Sequence, residues 1–359
     1  MQDFIPGLKL SEIFFNEAVK PILESDFPDL TYSAALVGSG SEVLGYDTPL
    51  SMDHHWGPRV TLYISEGDYT KYAEKIKQVL GNKLIHEICG ISTNFGKPDA
   101  IGVQHLEKIE KGPINHHVYI NTLQHYLGND YSVFDLRLTD WLTIPEQKLL
   151  EVTSGKVFHD GLGELNKIRE KFSWYPHDIW LYKLSCQWTK LSQEEAFVGR
   201  CGDVGDELGS QIVASRLVRE IMKLCFCMER KYTPYSKWFG MGFSKLSIAS
   251  HLSPILRNIL SSKEWKERED NLSKAYEIVA TTHNELKITK PLHTKVSRYQ
   301  GRPYLVIHAG EFASAISSAI KDEQVKKIKE KIGSVDQFID STDVLSNISL
   351  TKKLGVLFE

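Results

Sequence analysis

Two apolar runs, Ala34 to Val37 and Val60 to Ile64, bracket the most unusual stretch of this chain, Gly38-Ser39-Gly40-Ser41-Glu42-Val43-Leu44-Gly45-Tyr46-Asp47 and then Asp53-His54-His55-Trp56-Gly57-Pro58-Arg59. Short apolar runs bounded by glycine and proline read as buried strands. The connection between them holds too much glycine, acid and imidazole for a core or an ordinary loop. A Gly-Ser pair leaving a strand offers unhindered N–H groups and a hydroxyl to an anion, because only glycine lets phosphate come so close to the backbone. Gly38, Ser39, Gly40 and Ser41 are therefore the candidate phosphate cradle, although small residues at a strand end also make plain turns.

Asp53 follows a spacer of short-helix size and is placed at the entry to the second strand. Period-two alternation then puts His55 on the same side of that strand. A carboxylate and a second ligand beside a phosphate cradle can hold a divalent metal across a triphosphate, the layout of nucleotidyl transfer. Asp53 and His55 are thus the candidate catalytic and metal-binding pair. Arg59 is expected to clamp the triphosphate, since guanidinium matches phosphate oxygens bidentately.

Around this stretch, residues 9–24 have helical spacing with Ser11 as cap, and a helix is predicted from about Asp68 to Leu80. His116 to Leu123 reads as a strand, Trp141 to Val152 as one helix, and Lys156 to Asp160 as a strand entering a hairpin. From about Ile168 the periodicity turns helical, in segments 178–199, 207–231, 236–260 and 263–286. One stripe there joins Leu208, Ile212, Leu217, Ile221, Leu224, Cys225 and Met228. A strand-like run from Pro303 to Ala309 precedes helices at Phe312 to Ile320 and Gln324 to Ile332. A chain of 359 residues exceeds the usual size of a single core. The fold class is therefore α+β: a mixed sheet with flanking helices over 1–165, followed by a helical bundle over 166–359.

At the quoted residues the chain resembles a known superfamily. Gly38-Ser39, a spacer and Asp53-His54-His55 look like the nucleotidyltransferase signature of glycine-serine followed by acid-x-acid. The fuller strings Val37 to Asp47 and Asp53 to Arg59 resemble a bacterial family assigned to that superfamily, domain of unknown function 4037. The likeness continues through Gly199-Arg200 to Gly209-Ser210, Glu229 to Gly240, and Gly333 to Phe338. This resemblance implies a nucleotidyltransferase-fold sheet, a nucleoside triphosphate (ATP the expected one) and Mg2+ or Mn2+. It further implies that Gly38 and Ser39 hold phosphate and that Asp53 is the first metal carboxylate. His55 stands where the superfamily has a second acid, and imidazole suits a transition metal better than magnesium. The third carboxylate belongs on a later strand; His116 to Leu123 offers Tyr119 and Asn121, leaving Asp47 and Asp160 as substitutes.

The expected activity is metal-dependent transfer of a nucleoside monophosphate to a small-molecule, protein or RNA acceptor. The alternative is a catalytically degenerate nucleotide-binding or protein-interaction module. Asp53-His54-His55 also spells the motif of a metal-dependent phosphoesterase family, but the further aspartates and downstream glycine-rich stretch of that family are missing. His54, His55, His116 and His117 could cluster, although paired histidines on a strand usually split between its faces. In the helical half, Arg200 and Lys237 are further candidates for binding the nucleotide, and Arg216 for phosphate or an acidic acceptor. The ordinary reading of these charges is a solvated face with i,i+4 pairs such as Arg216 with Glu220.

A net charge of -3 gives no general nucleic-acid signal. No apolar run reaches membrane-spanning length and the first ten residues lack a secretory pattern, so the cytoplasm is the expected location. Five cysteines, mostly in helical sequence, fit reduced core thiols.

Overall fold

The computed structural model describes residues 4–53, 55–131 and 136–359. It divides into two compact units, one of Met1–Asp135 and Leu149–Ser173, the other of Leu136–Lys148 and Trp174–Glu359. Where the sequence suggests one boundary at 165, the chain thus passes between units three times.

In the first unit α1 (Gly7–Phe14) runs through a π-helical turn into α2 (Lys20–Asp26). Ser11 is not a cap but a buried residue inside α1. Next come β1 (Tyr32–Leu36), the short α3 (Ser41–Leu44), β2 (Arg59–Ile64) and α4 (Glu66–Lys83). Ser65 caps α4 by accepting from the Asp68 N–H. A two-residue hairpin, β3 (Glu87–Ile88) and β4 (Ile91–Ser92), precedes β5 (His117–Asn121) and α5 (Leu123–Tyr131).

The single helix expected over 141–152 is two, α6 (Leu138–Thr143) and α7 (Glu146–Thr153). Pro145 lies between them; it has no N–H to donate and disfavours helical backbone at Ile144. β6 (Lys156–Asp160) then pairs antiparallel with β1, rather than entering a hairpin, and leads to α8 (Leu165–Lys171).

The described residues form a four-stranded sheet in the order β5-β2-β1-β6. β2 is antiparallel to β1 and parallel to β5, so the sheet is mixed. Alternation sorts its residues. Tyr32, Ala34, Val60, Leu62, Ile64 and Val118 join Leu10, Phe14 and Leu23 of the N-terminal helices and Ile76 and Leu80 of α4 in one core. Each large aliphatic buried there contributes about 1.5–3 kcal/mol relative to exposure. The register puts Ser33, Ala35, Arg59, Thr61, His117 and Tyr119 on the other face. That face holds the candidate residues Arg59 and His117.

The second unit holds α6 with α9 (His177–Glu194), α10 (Phe197–Asp203), α11 (Glu207–Met228), α12 (Phe239–Phe243), α13 (Ala249–Ser261) and α14 (Trp265–Glu285). A two-residue pair, β7 (Ser297–Arg298) with β8 (Leu305–Val306), leads to α15 (Ala309–Ala319), α16 (Glu323–Lys326) and α17 (Val335–Phe338). The helix expected over 324–332 is thus one turn, and that over 236–260 keeps only α12 and α13.

Trp188 of α9 stacks on Phe312 of α15 with centroids 4.3 Å apart. The predicted stripe on α11 is buried at Leu217, Ile221, Leu224, Cys225 and Met228, but Leu208 and Ile212 are exposed. Along this stripe burial begins only at Leu217, and the helix start is held by polar groups instead: Asp206 accepts from the Gly209 N–H and Glu207 pairs with Arg268. All five cysteines are free thiols, with Cys186, Cys225 and Cys227 buried.

Candidate functional site

β1 delivers the chain into Gly38-Ser39-Gly40 with left-handed backbone at Gly38 (φ +99°) and Gly40 (φ +138°). The Gly38 N–H donates to the Glu151 carbonyl at 2.7 Å. At Gly40 a Cβ would lie 2.5 Å from Nη2 of Arg59 and 2.8 Å from either carboxylate oxygen of Glu42. Glycine is needed there for both space and conformation.

Arg59 opens β2, and its own N–H is accepted by the Ser11 hydroxyl at 3.3 Å. Its guanidinium donates to the Ser39 carbonyl at 3.0 Å and forms an ion pair with Glu42. Both side chains are largely covered, 15% and 7% exposed. The buried Nε of Arg59 has no hydrogen-bond partner. Ser39, Gly40 and Arg59 thus lie together, and the arginine is not an unengaged clamp. Glu42, to which the sequence assigned no role, is its ion-pair partner.

Asp53 and His55 depart from expectation. β2 starts at Arg59, so neither stands on a strand and period-two alternation does not align them. Asp53 lies in an exposed turn after the short helix Pro49–Ser51, and His55 has φ +52°. The extended ladder starts late because this segment is tied elsewhere. The His55 N–H donates to the Gln104 carbonyl at 3.1 Å, Gly57 is packed against Leu106 and Phe95, and Pro58 has no N–H to give. His54 lies outside the described residues.

His117, named from the sequence only as one of four histidines that could cluster, lies on the same sheet face as Arg59. It stands beside Arg59 in the parallel register. Its ring stacks on Phe95 with centroids 3.5 Å apart and lies 6.0 Å from the ring of His55. Nε2 contacts Oε1 of Gln104 at 3.1 Å, while the Gln104 amide nitrogen donates to the Gly96 carbonyl. That fixes Gln104 Oε1 as acceptor, so Nε2 of His117 carries the proton. Nδ1, buried and without a hydrogen-bond partner, keeps its lone pair. Burial, then the charges of His55 and Arg59, push the His117 pKa down to about 4. The imidazole is neutral at pH 7. Tyr119, half-exposed two residues on, completes this edge of the face, its pKa raised by burial. The alternation His117-Val118-Tyr119-Ile120 was the available signal. The neighbouring His116 instead turns its Nε2 to the Lys77 carbonyl, so the histidine pair splits between faces.

The two substitute acids are occupied structurally. Asp47 accepts from the Gly7 N–H at 2.7 Å and from the Trp56 indole at 3.4 Å. Asp160 accepts from the Ser33 hydroxyl and the Asn166 N–H. Among the described residues no three His, Cys, Asp or Glu side chains gather as a metal site.

Arg200 and Lys237 belong to the second unit. Each is exposed, and each lies against an aromatic ring, Phe197 at 5.4 Å and Trp238 at 4.8 Å. The expected i,i+4 pair of Arg216 with Glu220 does not form. Arg216 reaches across to Glu194 of α9 at 2.9 Å, and Glu220 takes Lys190 at 3.1 Å.

Fold and site thus define an α+β protein with a glycine-serine loop against a strand-borne arginine, followed by a helical unit. The expected family resemblance holds over residues 141–239, which match the model described as Domain of unknown function (DUF4037). The glycine-serine loop lies outside that match. Among solved structures, the nucleotidyltransferase-like protein from Exiguobacterium sibiricum 255-15 is 8% identical, over 85% of this chain and 89% of its own, with a TM-score of 0.33. No curated protein matches. Among the described residues no helix is long and apolar enough to cross a membrane.

Proposed function

We propose that the loop Gly38 to Ser41, with Arg59, receives the phosphates of a nucleoside triphosphate, ATP the expected one, in a nucleotidyltransferase type of site, with His117 next to Arg59 on the same sheet face. The observation that carries this reading is the Arg59 guanidinium, largely buried against the Ser39 carbonyl with its Nε unpartnered. An anionic oxygen arriving there would satisfy a donor whose burial otherwise costs about 1–3 kcal/mol. Neutral His117 adds no second charge, and the half-exposed Tyr119 ring gives a base or sugar an aromatic surface. The acceptor of a transferred nucleoside monophosphate would be a small molecule, a protein or an RNA.

Asp53 and His55 do not complete a protein cage for a divalent ion. Mg2+ characteristically keeps waters and takes one or two carboxylates together with substrate phosphates. On this reading Asp53 is the protein anchor for Mg2+ or Mn2+ carried by the triphosphate, and the ion would supply charge neutralisation. A second reading is a nucleotide-binding module without turnover. The position of Asp53 on a turn, with no group of three metal-ligating side chains among the described residues, favours it.

The test uses purified full-length protein with labelled ATP and Mg2+ or Mn2+. Saturable binding that falls in Arg59→Ala, with pyrophosphate release that falls in Asp53→Ala, supports transfer. Binding without pyrophosphate release in the presence of cell extract supports the module. Absence of triphosphate binding ends both readings, and undiminished transfer in Asp53→Ala removes the metal role.

A further inference from the structure

We propose that a basic cleft between α9, α11 and the segment around α17, all within the second unit, binds a small phosphate monoester. The cleft has a volume of 460 Å3, and Lys190, Arg216, Arg219 and Lys331 line it together with the acids Glu220 and Asp340. Its size falls in the range of about 300–1,000 Å3 typical of small-ligand sites. Nothing in this proposal depends on the glycine-serine loop.

The acids do not neutralise the cations. Glu220 is shared, accepting from Lys190 at 3.1 Å, facing Arg219 at 3.8 Å and taking the Gln187 amide at 2.7 Å. Arg216 is held by Glu194. Lys331 donates to the Ser317 hydroxyl at 3.0 Å, a neutral partner. A further lysine stands close by: Lys223 donates to the Asp336 carbonyl at 2.6 Å, and its pKa is lowered by burial, with Arg219 and Lys190 adding to the effect.

Asp340 shows what this field does to an anion. Its carboxylate pairs with Arg219, and that hydrogen bond, followed by the charges of Arg219, Lys223 and Lys190, holds its pKa below the usual range. Yet its side chain is 72% exposed. It is a surface carboxylate that takes Arg219 in a cleft also lined by Lys190, Arg216 and Lys331, and a phosphate dianion would compete for Arg219 with more charge and bidentate geometry. Ile332 and the partly exposed Phe338 supply an apolar wall for the organic part of the ligand.

The experiment is calorimetric titration of the full-length protein at low ionic strength with ribose 5-phosphate, AMP and inorganic phosphate. Saturable binding of a monoester, tighter than inorganic phosphate, is expected. Asp340→Asn removes the competing carboxylate from an exposed position and is expected to tighten binding about twofold to fivefold, the scale of a surface ion pair. Arg219→Gln is expected to weaken it at least about tenfold, with thermal melting confirming that the variant is folded. AMP equal to ribose 5-phosphate assigns recognition to the sugar phosphate; AMP tighter assigns the base to Phe338. Absence of saturable binding in wild type and Asp340→Asn, one affinity in all three proteins, or inorganic phosphate binding as tightly as the monoesters would each overturn the proposal.

Discussion

The Arg59 guanidinium meets the Glu42 carboxylate in the space that a side chain at Gly40 would fill. Loop conformation and charge pairing are therefore one arrangement. Gly40→Ala combines a strained positive φ with a steric conflict and should cost about 1–3 kcal/mol, read as a lower midpoint in urea unfolding. An unchanged midpoint would show that the loop rearranges freely.

Glu42→Gln should act in opposite directions on stability and binding. It leaves a largely buried guanidinium without its counter-charge, a loss on the order of 2 kcal/mol. The same change strengthens the pull of Arg59 on an incoming triphosphate, so equilibrium binding of labelled ATP should tighten. Weaker binding in a folded Glu42→Gln protein would mean that Glu42 positions Arg59 more than it competes with ligand.

His117 should make the protein acid-sensitive. Its pKa in the folded state, about 4, lies below the usual 6.5. Between those values the unfolded chain binds the proton and the folded one does not, so stability falls as pH drops through this window. His117→Gln should remove a share of that fall on the order of 2 kcal/mol. Melting temperatures of both proteins across the window give the comparison.

Glu195 should act with the opposite sign. It accepts the Ile307 and Ala309 N–H groups at 2.9 and 3.1 Å, and burial raises its pKa from 4.5 to about 7. Here the folded state holds the proton more tightly, so stability is lost as pH rises from 4.5 to about 7. Glu195→Gln should flatten this decline, and a parallel decline in the variant would exclude Glu195 as its source.

Lys183 is 1% exposed, paired with Glu146 at 2.9 Å and hydrogen-bonded to Ser334. Burial raises the Glu146 carboxyl's pKa, but the charge and hydrogen bond of Lys183 outweigh it and hold that pKa down, while Asp336 beside it is raised by burial and by Glu146. Lys183→Met should therefore cost about 3–5 kcal/mol by stranding a buried carboxylate. Adding Glu146→Gln should restore much of that loss in denaturant unfolding.

The sequence by itself determined the strands bracketing the glycine-serine loop, the mixed α+β class, and the turn to helices after 168. Each follows from local periodicity or from two strands joined by one connection, so short-range sterics suffice. Tertiary structure alone decided the rest. Asp53 and His55 left the strand because the His55 N–H found the Gln104 carbonyl, a partner far along the chain. Arg59 acquired Glu42, His117 acquired Phe95 and Gln104, and Arg216 exchanged Glu220 for Glu194. Which groups meet at such sites depends on strand register and helix packing across long sequence separations, and buried charges and imidazoles take whichever partners that packing supplies.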